Sequence, residues 1–181
     1  RTRIPLVEMA LPALRQLSPA QYVTFIKTIK TLSEADRQID LFEFSLEKIL
    51  RRYLEPTFTG GVREAVRFTS IEAVLNECNV LLSALAYLSH SETTEVRKAY
   101  QAGATALAID RALSQLPLQQ CGLGQVDAAM DRLACAHERI KERVVHACSE
   151  AVTADGEIQI GEAEMLRAIC AALDIPCPPL L

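Results

Sequence analysis

Apolar residues recur along this chain at intervals of three and four, the spacing of helices with one buried face. After Ser18 the stripe runs Tyr22, Phe25, Ile26, Ile29 and Leu32; after Asp40 it runs Phe42, Leu46, Ile49, Leu50 and Tyr53. Near the end, Ile140, Val144, Cys148 and Val152 form one stripe, and Met165, Leu166, Ile169, Ala172 and Leu173 form another. No stretch sustains period-two alternation, so the pattern predicts an all-α chain without a sheet.

Local punctuation divides the stripes. Ser18-Pro19-Ala20-Gln21 is a helix start, with Ser as N-cap, Pro at the first helical position and Gln at the capping-box position. Asp40-Leu41-Phe42-Glu43 is a second capping box. Upstream, Leu6 to Leu17 reads as a shorter helix in which Pro12 lies near the first turn or marks a break. Residues 56–69 contain Pro56, Gly60 and Gly61 and read as a loop. Ser70 caps a helix running to Ser89, and Ser91 caps another through Tyr100 into the small-residue run Ala102 to Ala108, where neighbouring helices can approach closely. Leu116-Pro117 and Gly122 to Gly124 are breaks; helices then cover roughly residues 126–136, 137–153 and 160–173 before Pro176, Pro178 and Pro179 impose an extended tail.

One pattern occurs twice. Ala35-Asp36-Arg37-Gln38-Ile39 is followed by Glu43, and Ala154-Asp155-Gly156-Glu157-Ile158 is followed by Glu162. In each, Ala-Asp closes one helix, Ile follows the Asp by three positions, and Glu opens the next helix. The predicted architecture is therefore a single all-α domain over residues 1–181, a bundle of about seven to nine helices with an internally duplicated helix-hinge-helix. Residues 1–55 hold the first hinge copy, 56–69 the loop, 70–118 a central helical pair, and 119–181 the second copy and tail.

The second hinge gathers the only clustered acidic chemistry. Set against a calcium loop, Gly156 takes position 6, Ile158 position 8 and Glu162 position 12, but positions 1 and 3 fall on Ala151 and Thr153, so the leading carboxylate is missing. Asp155, Glu157 and Glu162 are the candidate ligands for weak divalent-metal binding. The structural alternative assigns Asp155 to the turn, Gly156 to a positive φ, Ile158 to the core and Glu162 to the positive end of a helix dipole.

Composition narrows the function classes. Half the residues are apolar and there are only seven glycines, as in a globular core. A net charge of −4 argues against a nucleic-acid surface, and the basic cluster from His137 to Arg143 is interleaved with Glu138 and Glu142 like a solvated helix face. The apolar runs are short of the roughly 20 residues a membrane span needs. The six cysteines include no Cys-x-x-Cys pair, which favours a reduced compartment over a disulfide framework. His137-Glu138 opens like a zinc-protease helix, yet the position for the second His is Lys141. Gly122-Leu123-Gly124 lacks the third Gly and the preceding strand of a phosphate loop. These residues supply no catalytic set, so the chain by itself is read as a non-enzyme with no cofactor of its own. It begins Arg1-Thr2-Arg3 without Met or a signal-peptide pattern, and is read as a piece of something longer.

The stretch Ala147 to Ile158, followed by Glu162 to Ile169, resembles the tellurite-resistance TerB-like helical domain, whose pattern is an Ala-Asp-Gly-x-Ile hinge and an acidic helix start. Leu11 to Tyr22, Asp40 to Phe44 and Leu173 to Leu180 resemble the C-terminal region of bacterial HtpX-like membrane zinc metallopeptidases. That resemblance implies a soluble accessory domain on the cytoplasmic side of the inner membrane. Its partners would be the upstream peptidase domain and further proteins, with zinc held only upstream and no membrane insertion by this chain. The alternative it leaves is a stand-alone TerB-like module responding to metal or stress.

Overall fold

The computed structural model describes residues 4–35, 41–60, 65–89 and 92–179. Within them the chain forms eight α-helices: α1 (Ile4–Leu14), α2 (Pro19–Ala35), α3 (Leu41–Thr59), α4 (Leu75–Ser89), α5 (Thr93–Ala106), α6 (Leu123–Ala134), α7 (Glu138–Val152) and α8 (Ile160–Leu173). The all-α expectation holds. Among the described residues the nearest thing to a sheet is one isolated bridge between Phe68 and Ala136. The first hinge, from Asp36 to Asp40, and the Ser91 cap lie outside the described residues.

The starts of α2 and α4 follow the sequence signals. Ser18 and Gln21 close a reciprocal box: the Ser18 amide donates to Gln21 Oε1 at 2.8 Å, and the Gln21 amide donates to Ser18 Oγ at 3.3 Å. Ser70 Oγ accepts from the Glu72 amide at 3.2 Å and starts a 3-10 turn, Ile71–Val74, that leads into α4.

The predicted loop over 56–69 is corrected at its beginning, because α3 runs through Pro56 to Thr59. Proline removes a backbone hydrogen bond but falls in the last turn, where tertiary contacts hold the helix. Leu54 is fully buried, and Phe58 stacks on Tyr22 with ring centroids 4.2 Å apart. Gly60, at φ 81°, ends the helix. Pro12 likewise lies inside α1 without ending it.

The main core is built around α4, which packs on α5, α6, α7 and α8. Cys78, Leu81, Leu82, Leu85 and Ala86 of α4 meet Met130 and Leu133 of α6, Val144 and Cys148 of α7, and Leu166 and Ile169 of α8. The stretch Ile71–Leu88 has mean hydropathy 1.3 and is long and apolar enough to cross a membrane by composition, but 56% of it is buried in the protein, as in a core helix. Gly103 of α5 is the tightest approach: a methyl group there would lie 2.6 Å from Leu82 Cδ2 and 2.8 Å from the Ala147 carbonyl oxygen. The small-residue run thus serves the close helix contact its composition suggests.

A second layer hangs on α3. Phe42 and Ile49 meet Ala171 of α8, whereas Leu46, Leu50, Leu54 and Phe58 form a separate cluster with Leu11 of α1 and Tyr22 and Phe25 of α2. Lys48 of α3 reaches α6, 2.5 Å from Asp127 and 2.9 Å from Asp131.

Candidate functional site

The second hinge joins α7 to α8, and its polar groups bond to its own backbone. At the end of α7 the Thr153 hydroxyl donates to the Ser149 carbonyl at 2.9 Å, and the Gly156 amide donates to the Thr153 carbonyl at 3.1 Å. Gly156 adopts φ 83°, a conformation that L side chains rarely take, with open space around its missing Cβ. Its role is therefore conformational. Asp155 Oδ1 accepts the Glu157 amide at 3.0 Å, which closes an Asx turn. Ile158, half-buried, packs against the main core. The Gln159 amide then donates to Glu162 Oε2 at 2.7 Å, half of the capping box that starts α8.

This geometry divides the three candidate ligands. Asp155 and Glu157 are exposed on the turn, while Glu162 is only 1% exposed and faces inward from the first turn of α8. Among the described residues no group of three or more His, Cys, Asp or Glu side chains is arranged to hold a metal ion. The position-3 residue of the calcium comparison, Thr153, gives its hydroxyl to α7 instead.

The histidines have separate roles. His137 is the N-cap of α7, its Nδ1 accepting the Arg139 amide at 3.3 Å. The His137-Glu138 pair is thus a helix start. His146 is exposed on α7 with Nδ1 3.9 Å from Glu150. His90 lies outside the described residues.

A feature the sequence pattern did not single out lies on the other side of the bundle. The segment after α5 folds back over α4 and is held there by three polar side chains, one of them braced by a fourth. Ser83 Oγ, fully buried, accepts the Leu116 amide at 3.0 Å; Tyr87 Oη donates to the Leu116 carbonyl at 3.1 Å; Asn79 Nδ2 donates to the Ser114 carbonyl at 2.9 Å. Tyr100 Oη in turn donates to Asn79 Oδ1 at 2.5 Å, and burial pushes its phenol up to about 12. Between this segment and α5 opens a cleft of about 620 Å³ lined by Tyr87, Val96, Arg97, Tyr100, Leu113 and Pro117, among others. The available signal was Ser83, the lone polar residue interrupting the apolar run from Val80 to Leu88 apart from the tyrosine hydroxyl at Tyr87.

Five of the six cysteines are buried thiols and Cys177 is exposed. Burial, reinforced by the Glu77 charge, pushes Cys78 up to about 12, and burial also raises Cys148. Comparison with protein-family models, curated proteins and solved structures returns no match for this chain.

Proposed function

We propose that this chain is a non-catalytic accessory domain that regulates, or docks proteins to, a membrane-bound zinc metallopeptidase of the HtpX-like kind. In this reading it is a TerB-like domain on the cytoplasmic side of the inner membrane. Zinc belongs to the upstream peptidase domain, and this chain neither inserts into the membrane nor binds nucleic acid. The observation that carries the non-catalytic part is the use of the hinge carboxylates: Asp155 closes a turn and Glu162 caps α8. The link to a peptidase is supported by the motifs of the sequence alone.

The test is the open reading frame before Arg1. Apolar spans and a His-Glu-x-x-His helix there are the expected result; a start codon immediately before Arg1 would remove the appended-domain reading. Incubated with zinc and unfolded protein substrates, the pure chain is expected to cleave nothing, and zinc-dependent proteolysis would overturn the non-enzyme reading.

A second reading, a stand-alone TerB-like module that responds to metal or stress, is favoured by the exposure of Asp155 and Glu157 on the Gly156 turn. Titration calorimetry with calcium, magnesium, manganese and zinc separates the two. A saturable heat at millimolar metal that disappears in Asp155→Ala supports the second reading, and a flat titration the first.

A further inference from the structure

The cleft between α5 and the segment clasped over α4 has an apolar floor and a rim of one charge sign. On α5, Thr93, Val96, Arg97, Tyr100 and Gln101 recur at helical spacing along the face that lines it. Val96 and Tyr100 are buried, so they form the floor, whereas Thr93, Arg97 and Gln101 are exposed and form one rim. Across from them Leu113 and Gln115 are half-buried, and Ser114 and Pro117 are exposed. The Tyr87 hydroxyl is bonded to the Leu116 carbonyl and the Tyr100 hydroxyl to Asn79, so both tyrosines are held in place before any ligand arrives. A volume of about 620 Å³ falls within the roughly 300–1,000 Å³ of small-ligand sites, which are likewise largely preformed.

Arg97 is the only charged side chain among the described residues that line the cleft. It makes no ion pair with a described residue, while its neighbour Lys98 lies 3.6 Å from Glu95. In a chain of net charge −4 the cleft is therefore a local positive site. Thr93, Gln101, Ser114 and Gln115 add neutral donors and acceptors of the kind that pair with peptide groups.

We infer that the cleft captures the C-terminal end of a partner protein whose last side chain is apolar. A chain end carries a carboxylate and an apolar side chain on the same α-carbon, which neither an Asp nor a Glu residue offers. The Arg97 guanidinium pairs with the carboxylate through two N–H groups, and the last side chain packs against Val96, Tyr100 and Leu113. Gln101 and Gln115 bond the final peptide groups from opposite rims. This deepens the protein-docking part of the proposed function and rests on it. The two can fail separately, because an upstream peptidase reading frame can be present whether or not the cleft takes a chain end.

The intact ¹⁵N-labelled chain is titrated by NMR with the acid N-acetyl-alanyl-phenylalanine and with its C-terminal amide. Saturable shifts are expected in the amides of Val96 to Gln101 and Leu113 to Gln115. The uncharged amide is expected to bind about tenfold more weakly, the loss of one charge-assisted contact. Arg97→Gln is expected to weaken the acid by the same factor and to leave the amide unchanged, which also shows that the variant is folded. Equal binding of acid and amide, an Arg97→Gln variant that binds the acid like wild type, or no saturable shift at millimolar peptide would each overturn the assignment.

Discussion

Gly103 of α5 faces Ala147 of α7 so closely that a Cβ at position 103 would lie 2.8 Å from the Ala147 carbonyl oxygen. The same carbon would meet Leu82 Cδ2 at 2.6 Å and Ala151 Cβ at 3.1 Å, so three helices converge on one missing side chain. Flexible Leu82 can turn aside, but the carbonyl moves only with its helix. Gly103→Ala is therefore expected to destabilise the protein by roughly 2 kcal/mol, overpacking outweighing the gain of about 1 kcal/mol in helix propensity. Gly124→Ala in α6, where no atom lies within 4 Å of the added carbon, is expected to be neutral or slightly stabilising. Urea unfolding of both variants checks the contrast.

Glu162 acts through its acceptor oxygen at the start of α8. Glu162→Ala leaves the Gln159 amide without that acceptor and is expected to cost about 1–2 kcal/mol. Glu162→Gln keeps an acceptor and is expected to cost less than half as much, the remainder being the lost charge at the helix N-terminus. Equal losses in the two variants, measured by thermal unfolding, would show that the cap contributes little.

The hinge and the helix starts were legible in the sequence because they are local. The Ser18–Gln21 box, the Asp155 turn, the positive φ of Gly156 and the Glu162 cap each depend on residues within a few positions of one another. The end of α3 was not legible. Pro56 signals a break, whereas the stacking of Phe58 on Tyr22 that carries the helix past it joins residues from two helices. The clasp over α4 was hidden for the same reason, since Ser83 and Leu116 meet only in the folded chain. Position 103 stood within a run whose small residues suggested close packing, but the particular carbonyl it faces is a tertiary fact.

Ser83 is the buried centre of that clasp. Ser83→Ala is expected to cost about 1–2 kcal/mol, because the Leu116 amide loses its acceptor and water has little access. Hydrogen exchange should show faster labelling around Leu113 to Leu116 at unchanged protection in α8. Uniform acceleration across the bundle would contradict a local clasp.

Lys48 links stability to high pH. Burial pulls its ammonium down, but the hydrogen bonds to Asp127 and Asp131 and their charges together raise it above the usual lysine value. The stabilisation is fully present below the unfolded value of about 10.4 and is lost as pH rises through the higher folded value. Lys48→Met is expected to be about 1 kcal/mol less stable near neutrality. The difference from wild type should shrink above about pH 10.5. A difference independent of pH, in unfolding curves between pH 8 and 12, would assign the loss to packing alone.

The two-sided use of α3 bears on how the molecule comes apart. Among the described residues, α1 and α2 pack chiefly on α3, and their apolar cluster is separate from the one around α4. Cooperative unfolding therefore has a natural seam. The first two helices can detach as a unit while α4 to α8 stay assembled, exposing one face of α3 and leaving its other face on α8. The bundle then has two levels of opening, and α3 is the element that belongs to both.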